Sequence, residues 1–158
     1  MKKLLIALVA IAFLAGAAFA GTTDTQTIYY EIDAINEIVF DADLTLTIDS
    51  ATAGSEPDQD FDNDMTYNIT TNETAGKKIT AAINANMPAN TTLTVYLNNP
   101  PGGETQMWKY LNTTAQDVVK SIETVTGSPS YMVLVNAKVA AGLPADGSRV
   151  ITFTLCDE

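Results

Sequence analysis

The residues from Glu56 to Met65 read EPDQDFDNDM, with a carboxylate at every second position: Asp58, Asp60, Asp62 and Asp64. Carboxylates so spaced are material for a calcium site, because calcium collects about six to eight oxygen ligands. An EF-hand is excluded by the same residues. Counted from Asp58, the sixth position is Asn63 where the turn needs glycine, and the twelfth is Ile69 where a bidentate glutamate belongs. Two readings stay open. One is a looser calcium site completed by Asn63 or Glu56; the other is a solvated loop held open by its own like charges.

In QMWKYL, Trp108 and Tyr110 stand two residues apart, so a strand puts both on one face. The preceding Pro100-Pro101-Gly102-Gly103 sets that face beside a loop. An aromatic pair with amides nearby can hold a sugar ring, and the alternative is a tryptophan packed inside the fold. Catalysis finds less support. The chain has no histidine and one cysteine, Cys156, so zinc sites and nucleophile–base pairs cannot be assembled. No acid sits on an apolar run of the kind that lifts a carboxyl into a useful catalytic range. The expectation is a non-enzyme without a cofactor, calcium being the one possible ion.

These side chains hang on segments whose apolar residues recur every second position. TIYYEID (Ile28, Tyr30, Ile32), DLTLTID (Leu44, Leu46, Ile48) and MTYNIT (Met65, Tyr67, Ile69) alternate cleanly. So do TLTVYL, YMVLVNAK and RVITFTL. Threonine, valine, isoleucine and tyrosine suit a pleated sheet with one wet face, and Gly, Pro and Asn clusters divide the runs. TTAQDVVKSIETV dissents: Val118, Val119, Ile122 and Val125 fit a helical stripe, or a strand beside a bulge. The expected fold is an all-β, antiparallel, immunoglobulin-like sandwich. AAINANMPANTTLTVYL (81–97) echoes AKVAAGLPADGSRVITF (137–153) without gaps, with Pro88 and Pro144 fixing each loop and Asn90 and Asp146 tolerating unusual backbone. A true duplication and two similar hairpins explain the echo equally well.

The first 20 residues, MKKLLIALVAIAFLAGAAFA, have a basic start, an apolar stretch and a small-x-small end at Ala18-Phe19-Ala20. That is the layout of a secretory signal. Residues 1–20 are expected to be removed, leaving residues 21–158 as one sandwich domain with no membrane span. Losing Lys2 and Lys3 takes the formal charge from −11 to −13, since all 19 acids lie later in the chain. Such a surface repels nucleic acid and anionic lipid. A single cysteine forms no internal disulfide, so burial alone must hold the fold. The four N-x-[ST] sequons, at Asn68, Asn72, Asn90 and Asn112, read as Asn-Thr turns.

TIYYEIDAINEIVFDADLTLTI, ITAAINANMPANTTLTVYL, TTAQDVVKSI and GLPADGSRVITFTL together resemble a group of small secreted bacterial β-sandwich proteins of unassigned function. The likeness covers nearly the whole chain after the signal and rests on strand and turn patterns. More distantly the architecture is similar to immunoglobulin-like adhesin and fimbrial subunits. The resemblance bears on the fold; the expected role, structural, adhesive or filament-forming in the periplasm or at the cell surface, has its physical basis in sheet edges that can add a strand from a neighbour. The partner would be cell-envelope components or the protein itself, through edge-strand pairing. A calcium- or carbohydrate-binding module is the alternative.

Overall fold

The computed structural model describes residues 23–40, 43–143 and 147–158. The expected signal, residues 1–20, lies outside the described residues, as do Pro144 and Asp146 of the second echo loop. The chain divides into two units, residues 1–32 and 33–158. In the first, residues 23–32 carry no helix or strand and every side chain is exposed. The strand expected over TIYYEID is therefore not formed. Its alternation is right, but a strand exists only when its backbone groups find a neighbour.

The second unit is an all-β sandwich of two antiparallel sheets. One sheet runs β1 (Asn36–Phe40), β2 (Asp60–Thr71), β9 (Ser130–Ala137), β4 (Thr91–Leu97) and β6 (Lys109–Tyr110), with β8 (Val125–Gly127) also on β2. The other runs β10 (Ile151–Asp157), β3 (Lys77–Ile83), β7 (Gln116–Ile122) and β5 (Glu104–Thr105). A 3-10 turn, Val139–Ala141, interrupts the strands. No helix among the described residues is long and apolar enough to cross a membrane.

Period-two alternation builds the core. Tyr67 and Ile69 of β2, Ile79, Ala81 and Ile83 of β3, Leu93, Val95 and Leu97 of β4, and Tyr131 and Val133 of β9 all point inward and are buried. Each large one contributes roughly 1.5–3 kcal/mol relative to exposure. Phe40 stacks on Phe153 across the sheets, with ring centroids 3.7 Å apart, and Tyr67 donates its hydroxyl to the Asn98 carbonyl at 2.6 Å. Burial pushes the Tyr67 phenol above its ordinary pKa.

The dissenting segment is a strand, β7, and its helix-like spacing has a physical cause. Pairing with β3 shifts register on both sides of Ile79, so Val118 and Val119 are both buried, as is Ile122. Ser121, at φ 55°, absorbs part of the irregularity.

Residues 43–50 also depart from expectation. Leu44 and Leu46 pack on the core and exposure alternates, yet the segment joins no ladder. The Thr47 N–H goes instead to the Asp60 carboxylate at 2.6 Å. The hairpin regains pairing only at its tip, through the Ala51–Pro57 bridge.

The echoed units are not hairpins. β3 to β4 crosses from the four-stranded to the six-stranded sheet, and β9 to β10 crosses back. Strands of one unit pair with strands of the other, β4 with β9 and β3 with β10. Asn90 takes φ 61° and donates from its side-chain amide to the Ala140 carbonyl, joining the first loop to the turn of the second.

Pro100–Gly103 closes as a tight turn, with the Gly103 N–H on the Pro100 carbonyl at 3.0 Å and Gly102 at φ 84°. A Cβ at Gly102 would meet nothing within 4 Å, so the cost of adding one is purely conformational. Gly102→Ala is expected to destabilise by about 1–2 kcal/mol, read from the urea midpoint. An unchanged midpoint would contradict the turn as described.

Candidate functional site

The run of aspartates does not act as one loop. Asp60, Asp62 and Asp64 belong to β2, the first two opposite Val135 and Val133 and the third inside the register shift between Asp62 and Met65, whereas Asp58 precedes the strand. Strand parity turns Asp60 and Asp62 toward the inner side, where both are half-buried, while the start of the strand and the register shift leave Asp58 and Asp64 exposed. Each of three carboxylates serves a nearby donor. Asp58 accepts from the Ser50 hydroxyl at 3.0 Å, Asp60 from the Thr47 and Phe61 N–H groups, and Asp62 from the Asp64 N–H at 3.0 Å. Glu56, a possible fifth ligand, instead accepts the Val139 N–H and so holds the start of the 3-10 turn. Among the described residues, no three His, Cys, Asp or Glu side chains group in a way that could hold a metal ion.

Trp108 and Tyr110 do come together. β6 pairs with β4 so that Tyr110 faces Thr94, and β4 pairs with β9 so that Thr94 faces Leu134. Leu134 in turn faces Phe61 on β2. One row across four strands, Phe61–Leu134–Thr94–Tyr110, thus lies on the outer face of the six-stranded sheet. Trp108 stands over this face beside Tyr96, with ring centroids 5.3 Å apart. Phe61, Trp108 and Tyr110 remain 48%, 40% and 69% exposed.

Gln59, Asn136, Lys138 and Thr92 join Trp108 and Tyr110 around a shallow depression of about 540 Å³. Met107, just before the tryptophan, takes φ 61°, a conformation costly for a side chain of its size. This is a platform of aromatic surface fringed by amide and ammonium groups. Sequence reading found Trp108 and Tyr110 but missed Phe61 and Tyr96. Phe61 was hidden among the aspartates, and its outward parity was visible only once β2 was known to begin at Asp60.

The outer face of the opposite sheet is charged. Asp117 pairs with Lys120 at 2.9 Å and Lys78 at 3.2 Å, and hydrogen bonding to Lys120 first, then to Lys78, holds its carboxyl below the ordinary range. At one end of the sandwich Lys77 bridges Glu73 and Asp157. Hydrogen bonds from Lys77 and then Asn36 lower the Glu73 pKa, and bonding to Asp157 and then Glu73 raises that of Lys77.

The sign for stability follows. Depressed carboxyls stabilise above their ordinary values of 4.5 and 3.8, and that stability is lost as pH falls through the lower folded values. Raised lysines stabilise below 10.5 and lose the contribution as pH climbs through the higher folded value. The melting temperature is therefore expected to be flat between about pH 5 and 9 and to fall at both extremes. A melting temperature that rises below pH 4 would contradict these assignments.

The exposed segment before β1 is the remaining feature. Ile28, Tyr29, Tyr30 and Ile32 are 76%, 92%, 85% and 74% exposed. Four large apolar side chains in five residues, all in water, are far from the scattered single residues of an ordinary surface. No protein-family model and no curated protein matches the chain.

Proposed function

We propose that this protein is a non-catalytic structural sandwich, exported to the periplasm or cell surface. There it forms adhesive or filamentous assemblies by lending its N-terminal segment to other copies. One observation carries the reading: Thr27–Asp33 has the alternation of a strand with one apolar face, yet its Ile28, Tyr30 and Ile32 are left in water. A segment with strand pattern and no sheet gains both ladder hydrogen bonds and apolar burial by joining the edge of a neighbour. A donor segment and an acceptor edge at different places on one molecule make a head-to-tail contact, which grows into open chains. The signal-like leader fits export, and the resemblance to adhesin and fimbrial subunits fits assembly.

The test is sedimentation and electron microscopy of the protein expressed from its full sequence and recovered after export. Ordered multimers that grow with concentration are expected. A monomer at every concentration would contradict the reading.

A second reading rests on the aromatic depression, which has the build of a saccharide platform. Binding of a soluble glycan should alter the fluorescence of the only tryptophan, Trp108. Tyr110→Ala should then weaken it by about tenfold, the equivalent of about 1.4 kcal/mol. Fluorescence unmoved across a panel of cell-envelope glycans would set this reading aside.

A further inference from the structure

Besides the 3-residue β8 on β2, four open edges end the sheets among the described residues, and they are not equivalent. β5 and β6 are 2 residues each, too short to template a strand. β1 has 5 residues, contains Glu37 and lies between Asp33 and Asp43 in the chain, acids that repel an acidic segment. β10 has 7 residues, and no described strand pairs with its other side.

The ladder of β10 shows which of its groups are free. Asn84 donates its N–H to the Val150 carbonyl at 3.1 Å, and Glu158 donates to Gly76 at 3.2 Å. With the register Ile151↔Ile83 through Asp157↔Lys77, the even-numbered residues exchange hydrogen bonds with β3. The N–H and C=O of Ile151, Phe153, Leu155 and Asp157 consequently point to the open side. The side chains of Ile151, Phe153 and Leu155 are only half-buried. Free backbone groups and incompletely covered apolar side chains thus occur at the same residues.

We propose that β10 is the acceptor, and that Thr27–Asp33 of a second copy adds to it antiparallel, with Tyr30 opposite Phe153. This deepens the self-assembly reading and rests on it. Thr27–Ile32 meets Cys156–Ile151, six of the seven residues of β10. Ile28, Tyr30 and Ile32 fall opposite Leu155, Phe153 and Ile151, so the apolar faces coincide and the inward pairs are those that exchange hydrogen bonds. Charge selects the direction. Antiparallel pairing sets Glu31 and Asp33 opposite Thr152 and Val150, beside Arg149. The Arg149 guanidinium is bonded to the Asn86 and Ser148 carbonyls and, among the described residues, pairs with no carboxylate. Parallel pairing would push Asp33 against Asp157 and Glu158.

Direction also requires the second copy. Asn72, just after β2, bonds Ile35 and the Asp33 carbonyl, while Lys77 joins Glu73 to Asp157. Residue 33 and Asp157 are therefore at the same end of one sandwich. A segment folding onto its own β10 would run parallel; only another molecule's segment can run antiparallel.

The native thiol of Cys156 supplies the reporter. In the proposed register Thr27 lies directly opposite Cys156 at a non-hydrogen-bonded position, where side chains approach most closely. Thr27→Cys in the full-length exported protein, under mild oxidation, should give disulfide-linked species of two or more chains. Adding Cys156→Ser should abolish them. Asp33→Cys, which faces Cys156 only in the parallel arrangement, should give none.

Linked species that survive Cys156→Ser, or that form in Asp33→Cys instead, overturn the proposal. If the wild type assembles but Thr27→Cys never links to Cys156, β10 is not the acceptor while self-assembly stands. If the wild type does not assemble at all, both readings fail.

Discussion

The double substitution Ile28→Asp and Tyr30→Asp is expected to yield a monomer that melts as the wild type does and no longer associates. Both side chains are largely in water within the single chain, at 76% and 85% exposure, so removing them takes nothing from the sandwich. Surface changes of this kind move stability by about 0.5 kcal/mol or less. In an assembly the same residues would be buried. Each loses roughly 1.5–3 kcal/mol of apolar burial, and each new carboxylate must be desolvated beside an edge. Summed over two positions the loss exceeds 3 kcal/mol, enough to weaken association by more than about a hundredfold. The measurement is sedimentation velocity beside thermal melting. Loss of stability in the monomer would show that the segment packs on its own sandwich. Unchanged association would show that it is not the contact.

Tyr67→Ala has the largest expected effect on folding. The ring is fully buried, stacks on Phe40 with centroids 5.1 Å apart, meets Tyr131 edge-on, and holds the Asn98 carbonyl through its hydroxyl. Truncating a buried aromatic leaves a cavity and costs about 3–5 kcal/mol. A domain of this size has only about 5–15 kcal/mol in total, and the chain has no disulfide to limit its unfolded state. Tyr67→Phe keeps the packing and strands one carbonyl, at about 1 kcal/mol. Denaturant midpoints should therefore fall in the order wild type, Tyr67→Phe, Tyr67→Ala, with the larger step second. A first step larger than the second would mean that the hydroxyl, and not the ring, holds this corner of the core.

The sandwich was legible in the sequence wherever alternation and pairing coincide. MTYNIT, TLTVYL, YMVLVNAK and RVITFTL became β2, β4, β9 and β10 because each strand has a partner and buries one face. Alternation alone misled at TIYYEID and DLTLTID, since a pattern reports which side is apolar and says nothing of whether a neighbour is in reach. At β7 a bulge counterfeited helical spacing. The aspartate run looked like one feature because it is contiguous, yet the start of β2 and a register shift send its members to different sides. Trp108 and Tyr110 could be paired from spacing alone, whereas only the register reveals that Phe61 shares their sheet face, three strand pairings away. The open side of β10 could not be read at all, because an edge is a property of the sheet order.

The central claim is that residues 27–33 have no strand partner within their own molecule and acquire one in another. Amide hydrogen exchange, followed from dilute to concentrated protein, tests it most directly. At high dilution the amides of residues 27–33 and the outward amides of Ile151, Phe153 and Leu155 should exchange at open-chain rates, and both sets should become protected together as concentration rises. Protection of residues 27–33 in the dilute monomer, or continued fast exchange at every concentration, would contradict the account.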